Sequence, residues 1–242
     1  MKNNTLSPPK WNGKRVETVY RALDNTYGPL PRRSMESPVD VLIRTILSQN
    51  TTDINSNKAY NALHRKFPKW TNVLKANPHN LATTIRCGGL ANIKAEYIQK
   101  TLRMIHEREG QITLNHLKTL RTEDALNQLT CLPGVGIKTA CCVLLFGFNR
   151  PVMPVDTHVY RVAVRLGWVK RGVPINCVHT ILEQMILKRW ILPIHLYVIQ
   201  LGRTICRPRK PDCRHCPIYQ HCFYFQRVSI QEKVTECRSI GV

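Results

Sequence analysis

Apolar residues recur at intervals of three and four along most of the chain. The segment 90–109 shows the pattern best, with apolar side chains at Ile93, Tyr97, Ile98, Leu102 and Ile105. Such spacing places these side chains on one face of an amphipathic α-helix. The same pattern predicts helices over 14–27, 37–47, 53–67, 77–88, 90–109, 123–131, 139–148, 157–166, 176–190 and 194–205. No strand-like alternation of any length and no internal repeat occurs, so the sequence predicts an all-α fold.

The ends of these segments coincide with residues that favour helix ends. Ser37 and Asn77 each precede a proline, which is the order typical of a helix start. Gly110 lies where the longest helical pattern stops, as a glycine at a helix C-terminus often does. The chain is therefore predicted to be helical almost throughout, with short breaks.

One break, at 132–140, reads Leu-Pro-Gly-Val-Gly-Ile-Lys-Thr-Ala. Pro133 ends the preceding helical pattern, and Gly134 and Gly136 predict a tight turn of unusual backbone angles before the next helix. Backbone N–H groups at such a helix start point outward, where the helix dipole favours an anion such as phosphate. Lys138 then falls in the first turn of the helix, beside the bound anion. A glycine turn followed by a solvated lysine is the alternative interpretation.

A second helix start carries a carboxylate. The sequence Pro-Val-Asp-Thr-His-Val at 154–159 places Asp156 at the start of the predicted helix 157–166. An N-cap is the ordinary role for such an aspartate. A helical hairpin can also return this start toward Lys138, which would bring a carboxylate to the amine. For His158, a capping or packing role is favoured over that of a ligand or base.

The net charge of the chain indicates what kind of partner it binds. Its 36 Lys and Arg residues and 15 Asp and Glu residues give a formal net charge of +21, and cations recur in 2–15, 32–33, 66–69 and 203–214. A polyanionic partner explains this excess best, nucleic acid ahead of an anionic membrane, with a merely cationic surface as the alternative. The longest apolar run, 140–148, is far short of the roughly 20 residues that a spanning helix needs. Nucleic-acid binding without a membrane partner is predicted.

The chain has ten cysteines. Its first residues lack the apolar core of a secretory signal, so we expect a reducing compartment and no disulfides. Five cysteines lie in or beside apolar patterns and are predicted to be small buried side chains. These are Cys87, Cys131, Cys141, Cys142 and Cys177.

Four further cysteines stand together in the spacing C-x6-C-x2-C-x5-C: Cys206, Cys213, Cys216 and Cys222. Thiolates are soft ligands, and four so close in a reducing compartment indicate zinc or an iron–sulfur cluster. Zinc sites usually pair two short C-x2–4-C turns, whereas here only the middle two cysteines form one. The wider loop favours a [4Fe-4S] cluster over zinc.

The loop 207–212, between the first two of these cysteines, holds two prolines and three cations, including Arg209 and Lys210. The cluster is therefore expected to brace a phosphate-binding loop. No flavin or dinucleotide fingerprint precedes a helix, so a structural role for the cluster is favoured over a redox role.

Taken together, these motifs resemble the helix-hairpin-helix DNA glycosylases, specifically the endonuclease III group. The resemblance rests on 132–140, on Val-Asp-Thr-His at 155–158 and on the cysteine spacing. It extends to Leu-Ser-Gln-Asn-Thr-Thr-Asp at 47–53 and Gly-Leu-Ala-Asn-x-Lys-Ala at 89–95, and so spans roughly residues 14 to 225.

The resemblance implies two helical lobes with DNA in the cleft between them. One lobe is a six-helix bundle over 32–150 that carries the hairpin. The other joins 14–31 to 151–225 and holds the [4Fe-4S] cluster, and 226–242 is a loosely ordered tail. The implied enzyme is a monomer that removes a damaged base, an oxidised pyrimidine, from double-stranded DNA and nicks the strand there or at an abasic site. It would work in the cytoplasm at the nucleoid, or in the nucleus or mitochondrion of a eukaryote.

The resemblance also implies residue roles. Lys138 would be the nucleophile that forms a Schiff base, and Asp156 the essential carboxylate. Leu90 would enter the gap left by the flipped nucleotide, and Gln49 or Asn50 would fill it from the other side. The family often reads Ser-x-Gln-x-x-Asp here, and this pattern aligns Asn50, not Gln49, with the family's glutamine. Ala91 stands where the family often has an aromatic residue after the leucine. Both departures lie where the lesion and its opposite base are read.

Two other functions stay open. A glycosylase without lyase activity, acting on mismatched adenine or on uracil and thymine, usually has another residue in place of Lys138. A non-catalytic DNA-binding module would use the hairpin only to grip phosphate and would not need Lys138 and Asp156 together.

Overall fold

Every regular element that the computed structural model describes, over residues 11, 13–30 and 36–229, is helical. Within these residues no strand occurs, and the predicted all-α fold is confirmed. The chain divides into two units. We call them the bundle unit, the described part of Arg33–Arg150, and the split unit, the described parts of Met1–Arg32 and Pro151–Val242. No helix in the described ranges is long and apolar enough to cross a membrane.

The bundle unit contains helices α2 to α8. They are α2 (Pro38–Ser48), α3 (Asp53–Lys66), α4 (Trp70–Lys75), α5 (Pro78–Thr84), α6 (Ala91–Glu109), α7 (Thr122–Thr130) and α8 (Ile137–Cys142). Helix α8 continues as a π-helical turn over Val143–Gly147. Short 3₁₀ turns cover Arg86–Gly88 and Asn115–Thr119.

Helix α2 lies at the centre of the bundle unit, against α3, α6 and α8. Its side chains Leu42, Ile43 and Ile46 are fully buried, and each such burial stabilises the fold by about 1.5–3 kcal/mol. A Cβ atom on Gly147 would lie 2.8 Å from Cα of Pro38, so the end of the π-helical turn approaches the start of α2 closely. The lack of a side chain at Gly147 lets the two backbones approach this closely.

The split unit contains helices α1 and α9 to α12. They are α1 (Gly13–Tyr27), α9 (Thr157–Leu166), α10 (Ile175–Met185), α11 (Ile191–Thr204) and α12 (residues 223–229). Three 3₁₀ turns cover Lys188–Trp190, Cys213–His215 and Tyr219–His221.

Helix α11 holds the split unit together, since it packs on both α9 and α1. Its buried Tyr197 donates a hydrogen bond from Oη to Asp24 at 2.5 Å, and the same oxygen lies 2.9 Å from the carbonyl of Gly28. Burial, followed by Asp24, raises the pKa of Tyr197. These contacts join the N-terminal helix to residues about 170 positions later in the chain.

Most predicted helices are found within a few residues of their expected bounds, and α9 has the bounds that the pattern predicts. Three differences stand out. Helix α4 is not predicted, the segment 77–88 changes from α5 to a 3₁₀ turn after Thr84, and the segment 176–190 leaves the α-helix at Met185.

The prediction that five cysteines are buried is wrong for three of them. Cys141 and Cys142 are buried in α8, but Cys87, Cys131 and Cys177 are exposed. Cys87 lies in the 3₁₀ turn Arg86–Gly88 and Cys131 at the end of α7, whereas Cys177 lies on the exposed face of the first turn of α10.

Several predicted features lie outside the described residues. They are the cations of 2–10 and 32–33, and the part of the predicted tail from residue 230 on. Residues 226–229, the start of that tail, belong to α12.

Candidate active site and cysteine cluster

The glycine hairpin connects α7 to α8, as its sequence predicts. The amide of Val135 donates to the carbonyl of Leu132 at 3.1 Å, which closes the turn. Gly134 has a φ of +74°, and a Cβ atom there would lie 2.4 Å from Cδ2 of Tyr97. A glycine is needed at this position both for its backbone conformation and for its packing.

Gly136 has an ordinary extended backbone, with a φ of −87° and a ψ of 176°. The sequence predicts unusual backbone angles at both glycines, and for Gly136 this prediction is wrong. Gly136 is the exposed N-cap of α8, and a Cβ atom there would meet nothing within 4 Å. Nothing near it among the described residues requires a glycine.

Lys138 is the second residue of α8 and is partly exposed. The hairpin before it is held from two sides of the bundle unit. The hydroxyl of Thr101 donates to the carbonyl of Pro133 at 3.1 Å, and Nε2 of Gln49 donates to the carbonyl of Gly134 at 2.8 Å. The start of α8, and Lys138 with it, is therefore fixed by the bundle.

Gln49 and Asn50, the two candidates for filling the gap left by the flipped nucleotide, have different surroundings in the structure. Gln49 uses its amide on the hairpin, with a further contact of 3.5 Å from Nε2 to the hydroxyl of Thr139. Asn50 is exposed and has a φ of +50°, a left-handed conformation that asparagine tolerates better than most residues. Gln49 thus supports the hairpin from within the chain, whereas Asn50 faces solvent.

Leu90 is an exposed apolar residue in a strained backbone conformation. It is the N-cap of α6, with a φ of +48° and a ψ of 38°, and is 51% exposed. A left-handed conformation costs a non-glycine residue about 1–2 kcal/mol. Strain of this kind persists where the surroundings impose it, and it concentrates at functional sites.

Asp156 caps α9, which was the ordinary role open to it. Its Oδ1 accepts a hydrogen bond from the amide of Val159 at 2.8 Å, and the residue is half-buried. The segment that precedes it is fixed by Glu183, whose Oε1 accepts from the amide of Met153 at 2.7 Å. Burial raises the pKa of Glu183. Lys138 belongs to the bundle unit and Asp156 to the split unit.

His158 lies in a packing position. A Cβ atom on Gly202 would be 2.9 Å from Cβ of His158, so α9 and α11 are close here. Its Nδ1 lies 3.1 Å from Nη2 of Arg161. The favoured packing role fits this arrangement.

The four clustered cysteines follow α11 on a segment of loops and short 3₁₀ turns, and all are of intermediate exposure. Burial, with smaller contributions from the neighbouring cysteines, raises the pKa of Cys216 to about 12 and that of Cys222 to about 11. The pKa of Cys213 is raised in the same way, first by burial and then by Cys206. The four sulfur atoms therefore act on one another electrostatically.

Four such groups cannot all be thiolates without a positive partner, and a metal group would supply one. In the described part of the chain, no group of three or more His, Cys, Asp or Glu side chains is arranged to hold a single metal ion. The case for a cofactor at these cysteines rests on their chemistry, their spacing and their mutual electrostatics.

Two arginines of α9, which the sequence analysis does not identify, hold the cysteine segment. Nε of Arg161 donates to the carbonyl of Cys206 at 2.9 Å. Nη1 of Arg165 donates to Sγ of Cys206 at 3.2 Å and to the carbonyl of Arg207 at 2.7 Å. The helix that Asp156 caps therefore also anchors the loop 207–212. Two cations at positions i and i+4 of one amphipathic helix are the signal that could have identified them.

The loop 207–212 is exposed on its cationic side. Arg209 and Lys210 are both exposed, and Lys210 has a φ of +48°. Nη2 of Arg165 donates to the carbonyl of Pro208 at 3.0 Å, which holds the loop from within. The sequence predicts that the cysteine cluster supports this loop, and the structure adds the side chain of Arg165 as a second support.

Comparisons with known proteins agree with this description. The model of a family described as HhH-GPD superfamily base excision DNA repair protein matches residues 43–184. Endonuclease III of Thermotoga maritima is 37% identical over 198 residues, which is 81% of this chain and 88% of the relative. Endonuclease III of Escherichia coli strain K12 is 34% identical over 218 residues, 90% of this chain and 98% of the relative.

A solved structure of a trapped Endonuclease III–DNA covalent intermediate superposes with a TM-score of 0.77 at 26% identity. The match covers 91% of this chain and all of that one, 100%. The resemblance to the endonuclease III group that the motifs predict is confirmed.

Proposed function

The chain belongs to the HhH-GPD superfamily of base excision DNA repair proteins, and on this premise we propose how its residues carry out the reaction. The protein is a base excision repair DNA glycosylase with lyase activity at abasic sites. We assign the nucleophile to Lys138, the essential carboxylate to Asp156 and the phosphate grip to the hairpin 133–136. The substrate is double-stranded DNA that carries an oxidised pyrimidine or an abasic site, bound by a monomer.

The observation that carries the proposal is the hairpin with Lys138 behind it. Gly134 is required by its backbone and by Tyr97, whereas nothing described around Gly136 requires a glycine. A glycine at position 136 would instead leave room for a phosphate oxygen of the DNA to approach the backbone closely. Backbone N–H groups at the start of α8 would hold that phosphate. Lys138, one turn away at most, would then face the sugar of an adjacent nucleotide.

The chemistry follows from an amine at this place. The base in a duplex is inaccessible, so its nucleotide must first be flipped out. Nζ of Lys138 forms a bond to C1′ of the sugar, and the bond from C1′ to the base breaks with its electron pair leaving on the base. Ring opening leaves an imine between Nζ and C1′. The imine makes the C2′ proton acidic, its removal expels the 3′ phosphate, and hydrolysis of the imine restores the lysine.

Asp156 is assigned the proton transfers and the stabilisation of positive charge on the sugar. Its carboxylate uses Oδ1 on the cap of α9, which fixes the group without consuming both oxygens. The support for this role is the Val-Asp-Thr-His motif and the fixed, half-buried cap.

Leu90 and Asn50 are assigned to the space that the flipped nucleotide vacates. Both are exposed, and both stand in left-handed conformations that the chain maintains at a cost. An apolar side chain inserted between bases is a known means of opening a duplex. Gln49, which bonds to the hairpin, is assigned a positioning role at the phosphate grip.

Cys206, Cys213, Cys216 and Cys222 are assigned to a [4Fe-4S] cluster. Bound there, the cluster would supply one iron to each thiolate and compensate their negative charge. Arg165 donates to Cys206 and to the carbonyls of Arg207 and Pro208, so one side chain supports both the first proposed ligand and the loop that carries Arg209 and Lys210. The proposed role of the cluster is to stabilise this phosphate-binding loop.

Trapping with borohydride tests the assignment of the nucleophile, because borohydride reduces only an imine to a stable protein–DNA crosslink. Wild type and Lys138→Gln are incubated with duplexes that carry thymine glycol, dihydrouracil, uracil, 8-oxoguanine or an abasic site. Lys75→Gln, the loss of an exposed lysine at the end of α4, is the matched control. On the thymine glycol and abasic-site duplexes we expect crosslinks from wild type and the control and none from Lys138→Gln. Persistent crosslinking by Lys138→Gln would contradict the assignment.

A further inference from the structure

Lys94 is a lysine on the buried face of α6. Its side chain is only 2% exposed. Nζ donates to the carbonyl of Leu47 at 2.7 Å and to the carbonyl of Gly88 at 2.8 Å. Burial lowers the pKa of this ammonium. An ammonium held inside a protein by carbonyl groups is costly, so a specific reason for it is expected.

The two carbonyls that Lys94 binds lie at the ends of two helical segments. Leu47 is the penultimate residue of α2, and Gly88 is the last residue of the 3₁₀ turn Arg86–Gly88. Carbonyls in a last helical turn have no partner within the helix and lie at the negative end of its dipole. One ammonium nitrogen therefore binds a carbonyl from each segment and links the two ends to each other.

A residue with a left-handed backbone follows each of these carbonyls within three positions. Asn50, with a φ of +50°, comes three positions after Leu47, and Leu90, with a φ of +48°, comes two positions after Gly88. Left-handed non-glycine residues persist only where the surrounding structure fixes them. The backbone just before Asn50 and the backbone just before Leu90 both accept a hydrogen bond from Nζ of Lys94.

We propose that Lys94 is a positioning residue for the opening of the duplex, because it fixes the distance between the turns that present Asn50 and Leu90. The inference rests on the proposed function, in which these two side chains fill the gap left by the flipped nucleotide. Two side chains that enter one gap from opposite sides must keep their separation. A misplacement of about 1 Å can lower a reaction rate by about 100-fold.

The same helix offers a matched control in Gln99. Its side chain is 7% exposed, and Nε2 donates to the carbonyls of Val73 at 3.1 Å and Ala76 at 2.7 Å, at the end of α4. Lys94→Met and Gln99→Met each remove two buried hydrogen bonds to carbonyls at a helix end. Only the first touches the turns of Asn50 and Leu90.

The test compares cleavage at an abasic site in a fully paired duplex with cleavage of the same strand when the bases around the site are unpaired. Single-turnover rates are measured well below the melting temperature of each variant. We expect Lys94→Met to lose about 10- to 100-fold on the paired duplex and little on the unpaired one. Gln99→Met should keep the wild-type ratio of the two rates. A general loss of stability would lower both rates together and leave their ratio unchanged.

Equal ratios in Lys94→Met, Gln99→Met and wild type would overturn the proposal. If Lys94→Met does not fold, Lys94→Gln replaces it, because its donor nitrogen lies one bond nearer to the backbone and cannot keep both hydrogen bonds at their present lengths, and an unchanged ratio again overturns the proposal. Failure of the proposed function gives a different result, since wild type would then cleave neither substrate.

Discussion

The ring of Tyr97 lies so close to Gly134 that a Cβ atom on the glycine would be 2.4 Å from Cδ2 of the ring. Tyr97 belongs to α6, so the longest helix of the bundle unit sets the shape of the hairpin. Gly136, two residues further, has open space around the position of a Cβ atom. The two glycines of one motif are therefore present for different reasons.

Alanine at these two positions should give opposite results. Gly134→Ala meets both a positive φ and the Tyr97 ring, so we expect it to lower the free energy of unfolding by about 2 kcal/mol or more. Gly136→Ala should leave stability nearly unchanged but weaken binding to an undamaged duplex, because its Cβ would obstruct a phosphate. Thermal unfolding and DNA titrations measure the two effects. Normal DNA affinity in a folded Gly136→Ala protein would remove the proposed phosphate grip.

Asparagine at position 156 separates capping from chemistry. Asp156→Asn should keep the melting temperature, because asparagine caps a helix as well as aspartate does. We expect its turnover to fall by about 100- to 10,000-fold, the usual contribution of a general acid or base. Asp156→Ala is the comparison, since it should lose both activity and about 1 kcal/mol of stability. An unchanged rate in Asp156→Asn would leave Asp156 with the cap alone.

We expect the left-handed backbone of Leu90 to lower stability while its side chain is needed for activity. Leu90→Gly removes the cost of the left-handed conformation and little buried surface, so its melting temperature should equal or exceed that of wild type. The same variant loses the apolar side chain and should process lesions in paired duplexes poorly. Leu90→Ala keeps the strain and should lose activity without the gain in stability. A fully active Leu90→Gly protein would contradict the wedge assignment.

The helical segments were predictable because periodicity survives in any amphipathic helix, as in α6 and α9. Helix α4 has six residues, too few for a period of 3.6 to repeat twice, and it follows Pro68 closely. The bounds of 77–88 and 176–190 were wrong for a related reason, because a 3₁₀ turn carries apolar residues at nearly the same spacing as an α-helix.

The sequence motifs are enough to propose Lys138 and Asp156 as site residues, but they do not separate the roles of Gln49 and Asn50. The direction of each side chain depends on the left-handed backbone at Asn50, which follows from how α2 ends. Lys94 was also missed as a site residue, although the sequence holds a signal. It occupies the buried face of α6 together with Ile98 and Ile105, where a lysine breaks the apolar pattern.

Serine at any one of the four clustered cysteines should remove iron from the purified protein together with its visible absorbance. We expect DNA binding or solubility to fall as well, since the loop 207–212 would lose part of its support. Cys177→Ser, at an exposed cysteine of the same unit, is the matched control and should change neither property. Metal analysis that found one zinc and no iron in wild type would contradict the proposed cluster.

The last prediction concerns the loop that Arg165 supports. If Arg209 and Lys210 contact phosphates, each contact releases counterions, and the affinity falls with salt in proportion to their number. Replacing both by glutamine should flatten the slope of log affinity against log salt by about 1 to 2 units. Damaged and undamaged duplexes should be affected alike, since phosphate contacts position a protein without reading bases.

Arg21 and Lys100 provide the control for this experiment. Each lies in an exposed ion pair with a glutamate four residues earlier, with N–O distances of 2.7 Å to Glu17 and 2.6 Å to Glu96. Removing both changes the net charge by the same two units but leaves the loop intact, so the salt slope should stay close to that of wild type. Equal slopes for the two double variants would mean that the loop contributes only to the overall charge, and the purpose of its support by Arg165 would lie elsewhere.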